Sequence, residues 1–250
     1  MTDSSRAARQ KPRRRPRQAR SWATSLAVQE AFVRVLLERG YDGVTIRDVA
    51  AVAGVGIGTF YEYFPNKEAL AAVCLRTRMK AMVTEVAALA EDREPGAPAH
   101  ATLAGLVDAM LDRMVAGFAG KAAEWQALLH LERRISTPEA YARLYKLATG
   151  MWSAALERAV QPVQPMQPVQ PMQQVQPMQL PPAASAAALQ QTAWAVHTAS
   201  YALLAQRIMA DGPRTDAAAL RRQLGALVHA YLAAEGYAGL ALPARDYGRV

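Results

Sequence analysis

Ile57, Gly58, Thr59, Tyr61, Glu62 and Tyr63, with Lys67 four residues on, form a run whose side chains suit contact with an outside partner. Their chemistry is recognition rather than catalysis. A hydroxyl or carboxylate can meet base edges, an aliphatic chain can touch a thymine methyl, and phenols and an ammonium can reach phosphates. On a helix, Phe60 and Phe64 lie four apart and point inward, leaving a small, polar and aromatic outer row. Taken singly, each residue also fits an ordinary helical corner with solvated tyrosines and a solvated lysine. Taken together, they suit a short helix laid in a major groove. Lys67 opposes the dipole of the helix it opens, so an external phosphate accounts for it.

Those residues need elements to position them. Thr45 can cap a helix, with Asp48 at the capping-box position. Ile46, Val49, Ala50 and Ala53 keep helical spacing until Gly54 supplies the positive φ of a tight stop. Gly56 opens the next helix, Pro65 closes it, and Asn66 caps a third. Upstream, a helix from about Trp22 to Arg39 repeats Val28, Phe32, Val35 and Leu36 and ends at Gly40. Two short helices joined by a glycine turn, braced by a longer one, make a helix-turn-helix. Thr45 and Arg47 then fall where they meet the DNA backbone or a base edge.

This stretch resembles the TetR/AcrR family of bacterial transcriptional regulators. The resemblance lies in Thr45, Ala50, Ala53-Gly54-Val55, Gly58, Thr59, Tyr61, Tyr63-Phe64 and Lys67-Glu68-Ala69-Leu70, and covers residues 22 to 90. It implies an all-α chain: a three-helix DNA-binding module joined by a long helix to a larger helical ligand-binding and dimerisation domain. It also implies a cytoplasmic homodimer on a palindromic double-stranded operator, acting as a repressor relieved by a small-molecule effector. Where the family often has a capping serine, this chain has Gly56, a tolerated cap. Ile57, on the face expected to meet bases, cannot hydrogen-bond to them.

Composition is consistent with that frame. The chain has 250 residues, 52% of them hydrophobic, with a net charge of +8. Residues 1–20 carry eight basic side chains against Asp3, a net +7, so residues 21–250 hold only +1. This basic segment, with Pro12 and Pro16, reads as a disordered arm that follows phosphates or enters a minor groove, or as a solubilising tail. Cys74 is the only cysteine, which excludes a disulfide within the chain and a cysteine-based metal cluster and fits a reducing cytoplasm. No apolar run reaches the roughly 20 residues of a membrane span. His100, His130, His197 and His229 form no metal-spaced pair, and the catalytic signatures GxSxG, phosphate loop and dinucleotide fingerprint are absent. The sequence therefore predicts no cofactor, no metal and no enzyme. A ligand-independent architectural DNA-binding protein remains the rival reading.

After Asn66, helical periodicity runs unbroken to about residue 90, then recurs at about 99–118, 122–134, 138–160, 184–210 and 216–235. The expected organisation is an arm at 1–20, a DNA-binding domain at 21–66 and a helical domain at 67–240. A Gln/Pro-rich insertion at 161–182 is read as extended and mobile, since proline every third residue forbids a helix. Met110, Met114, Phe118, Trp125, Trp152, Trp194, His197 and Tyr201 suit an adaptable apolar cavity, although core packing accounts for any one of them. The resemblance implies a ligand pocket from such residues. It likewise implies a four-helix dimer bundle from stripes such as Leu189, Val196, Leu204 and Leu220, Leu224, Val228, which in a monomer would be core.

Overall fold

The structure, a computed structural model, describes residues 17–90, 100–160 and 185–242, with side chains from residue 21. Among these are nine α-helices: α1 (Arg17–Gly43), α2 (Ile46–Ala53), α3 (Ile57–Tyr63), α4 (Lys67–Ala90), α5 (Leu103–Ala119), α6 (Ala122–Ile135), α7 (Pro138–Val160), α8 (Ala186–Asp211) and α9 (Ala217–Ala234). Residues 1–16 of the expected arm and the whole Gln/Pro-rich segment 161–182 lie outside the described residues. Contacts divide the chain into two compact units, the first ending at Leu70 and the second starting at Ala71. The division therefore falls inside α4, four residues beyond the boundary read from sequence. The first turn of that helix belongs with the N-terminal module, where Leu70 is 1% exposed.

In the first unit, α1 starts at Arg17, ahead of Trp22, so residues 17–20 are helical rather than part of the arm. Arg17, Gln18, Ala19 and Arg20 are good helix formers, and Pro16 is tolerated just ahead of them. Gly40, at φ +67°, breaks the helix, and one further turn reaches Gly43. Val28, Phe32, Val35 and Leu36 form the buried stripe of α1, against which Val44, Val49, Phe60, Phe64 and Leu70 complete the core. No described helix is long and apolar enough to cross a membrane.

The second unit is a bundle in which α8 is the central element, packing against α6, α7 and α9, while α5 packs against α9. Arg221 of α9 donates to Asp108 (2.6 Å) and Asp112 (2.6 Å) of α5, and His229 Nε2 lies 2.9 Å from Asp108. Burial raises the Asp108 carboxyl, but the hydrogen bonds from His229 and Arg221 outweigh it and hold the group below the ordinary carboxylate range. Gly212, at φ +52°, ends α8 where an added Cβ would lie 2.4 Å from Gln126 Oε1, and Gln126 Nε2 caps the helix by donating to the Met209 carbonyl at 2.9 Å. The last described residues close back on the start of α5, with Leu103 N–H donating to the Leu240 carbonyl and Leu242 N–H to that of Ala101. The dimer stripes of the sequence reading are mostly spent inside this unit. Leu189, Ala193, Val196, Ser200, Leu204 and Ile208 of α8 are buried, as are Leu220, Leu224, Val228 and Leu232 of α9.

Candidate nucleic-acid interface and small-molecule cavity

The helix-turn-helix is built from local backbone chemistry. Thr45 Oγ1 accepts from Asp48 N–H at 3.1 Å and donates to Asp48 Oδ2 at 2.6 Å, fixing the start of α2. The carboxylate also accepts from Arg39 Nη1 at 2.8 Å. The Thr45 hydroxyl, then Arg39, hold Asp48 below its ordinary range. At the far end Gly54 is left-handed at φ +68°. Gly54 N–H donates to Ala51 O at 3.2 Å and Val55 N–H to Ala50 O at 3.0 Å, a Schellman closure that turns the chain into α3 within three residues.

That turn aims one side of α3 outward. Phe60 and Phe64 are 0% and 3% exposed, with ring centroids 5.8 Å apart, whereas Ile57 is 46% and Tyr61 53% exposed. Gly58 and Glu62 are exposed, and Thr59 and Tyr63 half-buried at the edges of the same surface. Thr45 and Arg47 are exposed on α2 and its cap. A Cβ added at Gly56 or Gly58 meets no atom within 4 Å, so packing inside the protein does not explain glycine at either position. Glycine in a helix destabilises it by roughly 0.5–1 kcal/mol relative to alanine, so a smooth patch at Gly58 suits something that must come close from outside.

Lys67 differs from its expectation. Its ammonium donates to the carbonyls of Tyr41 (3.1 Å) and Val44 (3.2 Å) and lies 4.5 Å from the centre of the Tyr41 ring. These bonds tie the start of α4 to the last turn of α1 and to Val44 just beyond it, where the Tyr41 carbonyl also accepts from Val44 N–H at 3.2 Å, so a need within the chain accounts for a lysine that opposes the dipole of α4. Asn66 caps the same helix, accepting from Ala69 N–H at 2.7 Å.

In the second unit, α4 to α8 line an apolar cavity of about 40 Å³, room for a few water molecules and well below the ~300–1,000 Å³ usual for small-molecule sites. Met114, Phe118, His197 and Tyr201 line it, joined by residues the sequence reading missed: Glu132, Tyr141, Tyr145 and the methionines Met79, Met82 and Met151. The other four expected residues do not. Met110 and Trp152 are buried core, and Trp125 stacks on Phe118 at 4.4 Å from behind and donates to the Gly117 carbonyl. Trp194 is 55% exposed. Burial of Glu132 was legible after the fact, since it continues the apolar stripe of Leu128 and Leu129 at helical spacing.

The polar groups of the cavity form one cluster. Tyr201 Oη donates to Glu132 Oε2 at 2.8 Å, and burial raises the Glu132 carboxyl above its ordinary range. The His197 ring meets Tyr145 edge-on at 4.7 Å and lies over Tyr201 at 5.8 Å. Burial lowers the His197 pKa to about 4, so the ring is neutral near pH 7, and its buried Nδ1 has no hydrogen-bond partner. Tyr145 and Thr198 share a hydroxyl hydrogen bond beside it. Among the described residues no cluster of His, Cys, Asp or Glu could hold a metal ion.

Comparison with known proteins matches the N-terminal module by sequence and most of the chain by fold alone. Residues 30–74 match the family described as bacterial regulatory proteins, tetR family. Over 63 residues the chain is 35% identical to the HTH-type transcriptional repressor DhaR of Mycobacterium sp. (strain GP1), a match spanning 25% of this chain and only 32% of that relative. The fold extends further. A putative tetR-family transcriptional regulator from Mesorhizobium loti superposes with a TM-score of 0.58 at 16% identity, covering 86% of this chain and 98% of that one. FadR from Bacillus subtilis, in complex with stearoyl-CoA, gives 0.56 at 19% identity, with 81% and 96% covered. SmeT, the repressor of the Stenotrophomonas maltophilia multidrug efflux pump SmeDEF, gives 0.58 at 18%, with 92% and 95% covered.

Proposed function

We propose that this chain, which belongs to the tetR family of bacterial regulatory proteins through its N-terminal module, is a transcriptional repressor released from DNA by a small molecule. The observation that carries the DNA-binding part is the outer surface of α3: two phenylalanines anchor the helix, while Ile57, Gly58, Tyr61 and Glu62 are left to a partner. In this reading Ile57 and Thr59 meet base edges, Gly58 allows close approach, and Tyr61, Tyr63 and Arg47 reach phosphates. Thr45 and Lys67 act by positioning. The threonine fixes the start of α2, and the lysine ties the end of α1 to the start of α4. The basic N-terminal residues add affinity that does not depend on sequence.

A two-fold dimer would present two such helices to a palindromic operator. With the inner faces of α8 and α9 spent on the core, the exposed side chains Trp194 and Leu227 are the apolar groups left on those helices for a second copy. The helical domain is the effector domain, and the neighbour solved with stearoyl-CoA supports a ligand role for this fold. An effector releases DNA only by binding the two states of the protein with different affinity.

The test is binding to the DNA upstream of the protein's own gene and to random DNA of equal length, at one fixed salt concentration. Preference for the upstream fragment with a footprint of two half-sites is expected. Equal affinity for both fragments would favour an architectural protein instead.

A further inference from the structure

We propose that the cleft between α4, α6 and α7 takes an amphipathic organic anion, a carboxylate or phosphate ester on an apolar body, its charge held by Arg76, Lys80 and Arg143. The proposal rests on reading the helical domain as the effector domain, and goes beyond it in naming the ligand's chemistry and the place where it binds.

This cleft opens beside the small cavity and has the size that the cavity lacks, about 500 Å³, within the ~300–1,000 Å³ usual for small-molecule sites. Its walls come from α4, the end of α6 and the first half of α7. Three of its lining side chains are cations, Arg76, Lys80 and Arg143, and all three are exposed. The single lining carboxylate, Glu132, is already engaged. Burial, the largest influence, raises it toward the neutral acid, while it accepts from Tyr201 at 2.8 Å and feels the charge of Arg133. The cleft is therefore left with excess positive charge. Arg76 and Lys80 stand four residues apart on α4, where like charges repel, and neither has an ion pair or hydrogen bond among the described residues. Arg143 is attracted by Glu139, which does not line the cleft. Apolar surface lies beside these charges: Tyr141 and Leu147 are 44% and 42% exposed, and Leu75, Ile135 and Leu144 continue the lining. A solvated helix face accounts for cations alone, but not for cations gathered around exposed apolar side chains in a concave space. An anion with an apolar body answers both, its head taking charge-assisted hydrogen bonds and its body covering Tyr141 and Leu147. A cationic amphiphile would instead meet like charge on three sides.

The experiment uses three probes with one tail and different heads, decanoate, decanol and decyltrimethylammonium, each kept below micelle formation, and acetate as the head without the tail. Each is titrated into the full-length protein by calorimetry at one fixed salt concentration. Decanoate is expected to bind about tenfold or more tighter than each of the other three. Arg76→Gln combined with Lys80→Gln alters only exposed side chains, and is expected to remove the preference for decanoate over decanol while leaving decanol unchanged. Lys121→Gln combined with Arg214→Gln removes the same charge from exposed positions outside the cleft, and is expected to leave all four affinities as they were. Equal or tighter binding of any other probe by the unaltered protein overturns the proposal. So does a cleft variant that keeps its full preference for decanoate, or an equal loss in the variant outside the cleft, which would reduce the effect to net charge. Operator binding, measured separately, distinguishes the two failures. DNA binding without an anion preference sinks only the ligand class, whereas an anion preference without selective DNA binding sinks the regulator reading.

Discussion

The surface of α3 and the cavity of the second unit solve opposite problems. Around α3, a stretch of some twenty residues spends its apolar side chains on anchorage and turns its small and polar ones outward, so each residue's role follows from its position on one helix. The cavity draws its lining from five helices and keeps Glu132, His197 and Tyr201 inside at a desolvation cost. A recognition surface can be assembled by local rules, whereas a pocket exists only once distant segments have converged.

If that contrast holds, the largest loss at the recognition surface should come from the anchor rather than from the exposed row. Phe60→Ala removes a side chain that is 0% exposed, and should destabilise the N-terminal module by about 3–5 kcal/mol. DNA binding should fall for every sequence alike, in step with the loss of the module's folding seen by urea denaturation. A stable module with altered sequence preference would place Phe60 at the interface instead.

The cavity's counterpart is a pH effect. His197 has its pKa lowered to about 4 from 6.5. Between those values the unfolded chain binds a proton that the native state refuses, so stability is lost as pH falls through this window and is restored above it. The difference is on the order of 3 kcal/mol. Glu132, raised by burial, works in the opposite direction, its contribution being present at low pH and lost as pH rises. Comparing the unaltered protein with His197→Gln between pH 7 and pH 4 isolates the histidine. The variant should lose less stability across the window, and an identical pH profile would mean that His197 is not buried in its neutral form.

The same contrast decides what could be read in advance. The caps at Thr45 and Asn66, the stop at Gly54 and the inward pair Phe60 and Phe64 depend on neighbours within four or five residues, and the structure has them where the sequence places them. The acceptors of Lys67 could not be read in advance, because they are on Tyr41 and Val44, more than twenty residues away. In the second unit the helices were legible from periodicity, yet which apolar residues face the cavity was not. Met114 and Met110 share one apolar helix, but only the first reaches the cavity, because the bundle's convergence and not the helix's own pattern selects between them. The dimer stripes failed for the same reason. A helix packed against neighbours inside its own chain shows the same spacing as one packed against a second copy.

A smaller effect tests the cap. Thr45→Ala removes the acceptor for Asp48 N–H and should destabilise the module by about 1 kcal/mol. Thr45→Ser keeps the acceptor and should restore most of that loss. If instead Thr45→Ala weakened DNA binding with no change in thermal stability, the hydroxyl would be a direct contact rather than a positioning group.

The smallest stability change gives the sharpest separation of the two kinds of site. At Gly58 an added methyl meets no atom of the protein within 4 Å, and alanine is the better helix former. Gly58→Ala should therefore stabilise the module by about 0.5 kcal/mol. If the glycine exists for a close approach from outside, the same substitution should weaken operator binding, so that stability and affinity move in opposite directions. A residue serving only the fold cannot produce that pair of signs. Unchanged or tighter DNA binding by a more stable Gly58→Ala protein would show that the exposed face of α3 does not approach the duplex.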